Sequence, residues 1–221
     1  FYKIGNKWEN THLKSIDPQK NLEHSMPFPS VVGAIVYPAC EISSPGVIQH
    51  LSGNRFSLGE PSGEKTNRVS ILSQILKDAG LKAPISARIR DELWIKLWGN
   101  VAFNPISALT GATLKQICEN EETRSLSKNI MIEAKFIGEK LGVKFPVSID
   151  KRIAGAAGVG DHKTSMLQDL ELGRSMEIDA IVSSVQELGK IVNISTPYID
   201  CVLSLVKQRA YLAGCFDYFN Q

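Results

Sequence analysis

Near residue 88 the hydrophobic pattern of this chain changes period, and that change limits the fold to a strand-containing piece followed by helices. Before it, Ser30 to Tyr37 (SVVGAIVY) is a β-branched apolar run that ends at Pro38. Pro45-Gly46, Val47 to Leu51, Ser52-Gly53-Asn54 and Arg55 to Gly59 follow. Short apolar runs punctuated by Pro-Gly and Gly-Asn predict strands joined by tight turns. From Glu64 to Ala79 the apolar positions Val69, Leu72, Ile75 and Leu76 recur at helical spacing, and Gly80 closes the segment. Beyond residue 88 the pattern is helical throughout, with helices predicted over 89–110, 120–141, 148–156, 176–190 and 197–210. Gly142 fits a C-cap, while Ser175 and Thr196-Pro197 are start signals. An α/β piece followed by consecutive helices predicts two domains, 1–87 and 88–221.

Composition excludes more than it selects. A net charge of +2 and the lack of any run of five basic residues argue against a nucleic-acid or polybasic membrane partner. No stretch of about 18 apolar residues occurs, so no transmembrane helix is expected. The four cysteines, Cys40, Cys118, Cys201 and Cys215, form neither a CxxC nor a Cys/His ligand spacing, so no metal is expected. With 43% hydrophobic residues the chain has core enough without disulfides, and reduced cysteines in a cytoplasmic protein are the reading. The opening, FYKIGNKWEN, is neither a signal nor a transit peptide and reads like the middle of a domain. The last eleven residues (YLAGCFDYFNQ) read as a loosely held tail.

The most informative segment is Asp91 to Pro105 (DELWIKLWGNVAFNP). Lys96, Asn100 and Asn104 stand at i, i+4 and i+8 and share one helix face, with Glu92 a turn earlier. Asparagine is a poor mid-helix residue because its amide competes for backbone groups. Two of them aligned with a lysine, amid Trp94, Trp98, Val101 and Phe103, suggest a polar groove in a mostly buried helix. The competing reading is a solvated stripe on an amphipathic helix. Against it, a solvated face normally uses charged residues, whereas an amide offers a ligand both donor and acceptor. The flanking tryptophans also make Lys96 a candidate for desolvation toward general-acid use. A second cluster runs from Ser165 (SMLQD) to Ser175 (SMEID). Ser165 would cap a short helix and Glu177 would sit in the first turn of the next one, where a carboxylate is favoured. Taken singly these, with Asp169 and Asp179, are helix-end chemistry.

Together the segments ELWIKLWGNVAFNPISALTG and SMLQDLELGRSMEIDAI resemble the two signature stretches of the ketopantoate reductase C-terminal domain. The stretch from Asp17-Pro18 through VVGAIVYPACEISSPGVIQHLSGNRFSLGE resembles the late part of that family's Rossmann domain, so the likeness covers nearly all of 15–210. The resemblance implies an α/β remnant of a Rossmann domain followed by an all-α C-terminal domain like that of 6-phosphogluconate dehydrogenase. It implies NADPH as cofactor, a small 2-oxo acid as substrate, and reduction of 2-dehydropantoate to pantoate on the route to coenzyme A. A homodimer is left open. By the same resemblance Lys96 is the catalytic lysine, and Asn100 and Asn104 belong to the substrate pocket. Ser165 holds the substrate carboxylate, and Glu177 is shared by substrate and cofactor. His162 stands where some members have a substrate-contacting asparagine. The five assigned residues are expected to line one cleft.

The fingerprint GxGxxG is missing from these residues. The nearest string, from Gly155 to Gly160, has the wrong spacing, follows a helical stretch and reads as a flexible connection. The phosphate-binding start is therefore expected upstream of Phe1, and the chain by itself is expected to bind NADPH weakly. Two alternatives remain at this stage: a relative acting on another 2-oxo or 2-hydroxy acid, and a non-catalytic helical interaction fragment.

Overall fold

A computed structural model describes residues 7, 8 and 11–217. Most of the opening stretch and the last four residues of the predicted tail lie outside the described residues. The chain divides into two compact units. Leu22–Leu93 belong to the first; His12–Asn21 pack with the chain from Trp94 onward in the second.

In the first unit, a one-turn helix α1 (Asn21–Ser25) leads to a 3₁₀ turn at Phe28–Ser30. The predicted strand over 30–37 is therefore shorter, because Pro27 and Pro29 set a turn before it. Strand β1 (Gly33–Val36) pairs antiparallel with β4 (Phe56–Gly59), while β2 (Ala39–Ser44) and β3 (Val47–Ser52) form a separate antiparallel hairpin. Gly46, at φ +79°, supplies the left-handed position of the hairpin turn. Helix α2 (Asn67–Asp78) then returns the chain parallel to β4. Phe56 and Leu58 donate to the carbonyls of Lys82 and Pro84, at 2.7 and 2.9 Å. This strand–helix–strand crossover is the mark of an α/β sheet. Leu58, Val69 and Ala83 form its buried centre, with Leu72, Leu76 and Ile85 packed against them.

The helical pattern on α2 holds except at Ile75, which is exposed. Ser73 takes the inward place because its hydroxyl donates to the Ala83 carbonyl at 2.6 Å. At the start of α2, Thr66 caps the Val69 amide. Nearly full burial of Glu60 is offset by Arg68 and Thr66, which donate to its carboxylate at 2.5–2.7 Å. The Arg68 guanidinium, foremost among these, holds the Glu60 carboxyl at about 2, well below the ordinary 4.5.

The second unit is helical. Helix α3 (Ile89–Thr110) is followed by α4 (Leu114–Glu119), α5 (Glu121–Lys140), α6 (Ile149–Ala157), α7 (Ser165–Glu171), α8 (Ser184–Ile191) and α9 (Pro197–Leu212). Helix α5 is the hub, touching α4, α6, α8 and α9. Its Glu133, almost fully buried, accepts the Tyr198 and Ile199 amides at 2.9 and 3.0 Å and so closes the N-terminus of α9. Burial pushes the Glu133 carboxyl up despite those two amides.

Four expectations change in this unit. Helix α4 was not foreseen, although Thr113 and Gln116 form a capping box. Gly155 lies inside α6, with Gly158 at its C-cap, so the first half of the glycine-rich string is helix and only its second half is a turn. The helix predicted from 176 begins after Glu177 and opens as a π-helical turn over Asp179–Ser183. The chain end is held as far as Cys215, which is buried and whose carbonyl accepts the Met176 amide at 3.0 Å. No helix among the described residues is long and apolar enough to cross a membrane.

Candidate active site

Helix α3 supplies three of the five sequence-assigned residues. From Trp98 to Ala108 it is buried almost all round, the state expected of a central helix. Trp98 donates from Nε1 to the Met131 carbonyl at 2.7 Å and meets Phe145 edge-on, ring centroids 4.8 Å apart. Along the polar stripe, exposure falls steadily: Lys96 is exposed, Asn100 half-buried and Asn104 buried at 5%. At about 1.5 Å per residue, the stripe descends about 12 Å from surface to interior. Trp94 and Trp98 point into the core, roughly 200° around the helix from Lys96, so they do not desolvate it as the sequence suggested. Arg152 of α6 packs so closely over Gly99 that a side chain there would collide with its guanidinium, which places a cation one residue from Asn100.

Asn104 is the costly residue of the stripe. Its Nδ2 is buried and finds no hydrogen-bond acceptor among the described residues. Pro105 follows inside the helix and has no N–H for the carbonyl of Val101 one turn back. An amide without an acceptor among the described residues thus stands next to a proline that cannot complete the helical ladder, in a helix where apolar residues would have packed without penalty.

Ser165 is the first residue of α7 and is exposed, but the cap is Thr164, whose hydroxyl accepts the Leu167 amide at 3.3 Å. The Ser165 hydroxyl is left for other partners. His162, also exposed, is tied through its backbone: its carbonyl accepts the Leu114 amide at 3.0 Å. Glu177 precedes the π-helical turn, with its carbonyl accepting the Ile181 amide at 3.1 Å and its carboxylate exposed. That carboxylate lines a cavity of about 370 Å³, with Ser15, Ile16, Met176, Asp179 and Phe216 among the other walls. Lys96, Asn100, Asn104 and Ser165 are not among its lining residues.

Asp179, set aside in the sequence as helix-end chemistry, is a wall residue. Lys207 of α9 pairs with it at 2.8 Å, and Ser183 donates to it at 2.5 Å. The Lys207 ammonium also lies 5.0 Å from the Phe216 ring centroid. π-Helical turns recur at functional sites because the extra residue re-aims neighbouring side chains. Here the turn begins at Asp179, two residues after Glu177, and both residues line one cavity. Sequence reasoning also missed Glu187 on α8, whose carboxylate accepts the amides of Lys14 and Ser15, both at 2.9 Å, and the Ser15 hydroxyl at 2.6 Å. Burial works to raise the Glu187 carboxyl, but these donors outweigh it and hold it below the usual carboxylate range. No sequence signal pairs residues so far apart.

The sequence profile described as "Ketopantoate reductase PanE/ApbA C terminal" matches residues 88–210. A 2-dehydropantoate 2-reductase of Mesorhizobium japonicum is 54% identical over 98% of this chain and 67% of its own length. A crystal structure from Ralstonia solanacearum MolK2, described as a ketopantoate reductase, superposes with a TM-score of 0.93 at 36% identity, over 98% of this chain and 66% of that one. A D-mandelate dehydrogenase in complex with NADH shares the fold, with a TM-score of 0.79 at 20% identity over 87% of this chain and 66% of that one. The chain spans 67% of the length of the Mesorhizobium relative and between 53% and 61% of the other curated relatives compared. On the profile match and the Mesorhizobium likeness, the chain belongs to the ketopantoate reductase family.

Proposed function

We propose that this chain is the substrate-handling part of a cytoplasmic enzyme that reduces 2-dehydropantoate to (R)-pantoate with NADPH. The observation that carries the proposal is Asn104, a buried amide whose Nδ2 has no acceptor among the described residues, at a position that the sequence resemblance assigns to the substrate pocket. A buried donor without a partner is costly, so its presence in an otherwise apolar helix is best accounted for by a ligand that satisfies it.

The residues fit such a cofactor in part. An exposed carboxylate at the wall of a cavity of about 370 Å³ suits the hydroxyls of a nicotinamide riboside, and Glu177 would hold them. No glycine-rich pyrophosphate turn is encoded in these residues, so the phosphate grip would come from elsewhere in the protein. When bound, the reduced nicotinamide supplies the hydride.

The chain's own residues would do the rest. Lys96 donates a proton to the ketone oxygen, and its charge stabilises the alkoxide that develops there. Asn100 and Asn104 orient the substrate's polar groups without competing for that proton. The Ser165 hydroxyl, not engaged in capping α7, accepts the task of binding the substrate carboxylate. The test is turnover of 2-dehydropantoate by the full-length protein, followed as loss of NADPH absorbance, with a panel of other 2-oxo acids beside it. Preference for a different 2-oxo acid would replace the substrate but keep the chemistry. No turnover of any of them would refute the proposal and leave the interaction-fragment reading.

A further inference from the structure

We infer that Glu187 is a positioning residue that straps the segment His12–Asn21 down as a wall of the Glu177 cavity, and so sets how tightly that cavity holds its ligand. The inference rests on the proposed reductase reading and adds to it a segment and a residue outside the five residues assigned above.

The geometry is a carboxylate in a small nest of donors. One Glu187 oxygen takes the Lys14 amide, and the other takes both the amide and the hydroxyl of Ser15. Two consecutive amides and a hydroxyl aimed at one anion fix the backbone position at that point, because all three donors share a rigid acceptor. Glu187 itself is held on α8, one turn beyond the π-helical segment that carries Asp179.

What the strap builds lies to either side of this clamp. Ser15 and Ile16 face Glu177, Asp179 and Phe216 across the cavity of about 370 Å³. Ser15 and Asp179 also separate it from a second cavity of about 340 Å³, walled by Lys14, Asp17, Gln19 and Asn21. Without the strap, both cavities would lose a wall. Ile16 gives the first cavity its apolar side opposite the carboxylates, though it is itself 45% exposed. A ligand there would bury that surface and meet both an apolar and an acidic wall. That combination suits a ring bearing hydroxyl or amide donors and disfavours a bare anion.

The full-length enzyme with Glu187→Ala and Glu187→Gln tests this. Glu187 is half-buried on α8 and outside the packed core, so both variants should fold. For Glu187→Ala we expect KM for NADPH or for the 2-oxo acid to rise about tenfold while kcat stays within about threefold. Deuterium exchange should quicken in residues 12–21 and not in α8. Glu187→Gln, which keeps one acceptor oxygen, should fall between the wild type and Glu187→Ala on both measures. Faster exchange with both KM values unchanged would overturn the inference, as would unchanged exchange or a fall in kcat alone. A wild type inactive on every 2-oxo acid would sink the functional reading; an active wild type indifferent to Glu187→Ala would sink this inference alone.

Discussion

Replacing Asn104 with leucine should make the protein more stable and nearly inactive. Leucine keeps the branch at Cγ and exchanges the amide for two methyl groups. In the wild type the side chain is 5% exposed and its Nδ2 lacks an acceptor, so folding bears the desolvation of an unpaired donor, about 1–3 kcal/mol. Leucine removes that penalty but is bulkier, and crowding in a packed helix takes back roughly 1 kcal/mol. A net gain of up to about 2 kcal/mol remains, which in a protein of this size is a rise in Tm of up to about 8 °C. Urea denaturation of the full-length enzyme without ligand measures the gain, and steady-state kinetics measures its cost. A positioned amide lost from the substrate pocket should lower kcat/KM by about two orders of magnitude. Destabilisation by more than about 1 kcal/mol would mean that the amide is satisfied inside the folded chain. A stability gain with unaltered kinetics would remove Asn104 from the site.

Three further outcomes follow from named contacts. Lys96→Ala should lower kcat by about two to four orders of magnitude in the full-length enzyme, and Lys96→Arg should not restore it, because guanidinium hardly releases a proton; steady-state rates decide. The Glu60 carboxyl sits at about 2 in the fold against 4.5 ordinarily, so its contribution is complete above pH 4.5 and is lost as pH falls toward 2. The full shift is worth about 3 kcal/mol, and solvent screening through the half-exposed Arg68 leaves about 1–2 kcal/mol; Glu60→Gln should flatten that part of the stability–pH curve measured by denaturant titration. Glu133→Gln leaves one of the Tyr198 and Ile199 amides without an acceptor and should cost about 1–2 kcal/mol, read as a shift in urea midpoint.

The long elements were legible because local periodicity and tertiary packing agree in them. Helix α3 runs over the predicted 89–110, and α5 and α9 lie within two residues of expectation at each end. In two of the failures a specific hydrogen bond overrode the pattern. Ser73 displaced Ile75 because it could reach a carbonyl. Thr164 took the capping position from Ser165 because its hydroxyl meets the Leu167 amide. The π-helical turn after Glu177 has no periodic signature and moved the helix start past the predicted residue. In the candidate site, the stripe was readable because it lies on one helix at i, i+4 and i+8. The walls contributed by Ser15, Ile16 and Phe216 were not, since contacts across that much sequence leave no mark on spacing.

The exposure gradient along α3 explains how one helix can carry a costly site without losing its place in the core. The apolar side is secured by Trp94 and Trp98, each worth about 3–5 kcal/mol if truncated to alanine, with Trp98 further pinned to Met131 and Phe145. Against that anchorage, an unpaired amide at Asn104 and a missing N–H at Pro105 are affordable at about 1–3 kcal/mol apiece. The polar groups could not all stand at one depth. Lys96, the proton donor of the proposed reaction, is exposed and so could be recharged with a proton from water. Asn104, proposed to contact the substrate, is buried, where a hydrogen bond is electrostatically stronger than in water. A single helix that runs from an exposed turn into the core supplies both conditions through spacing alone, with the lysine outermost in the i, i+4, i+8 order.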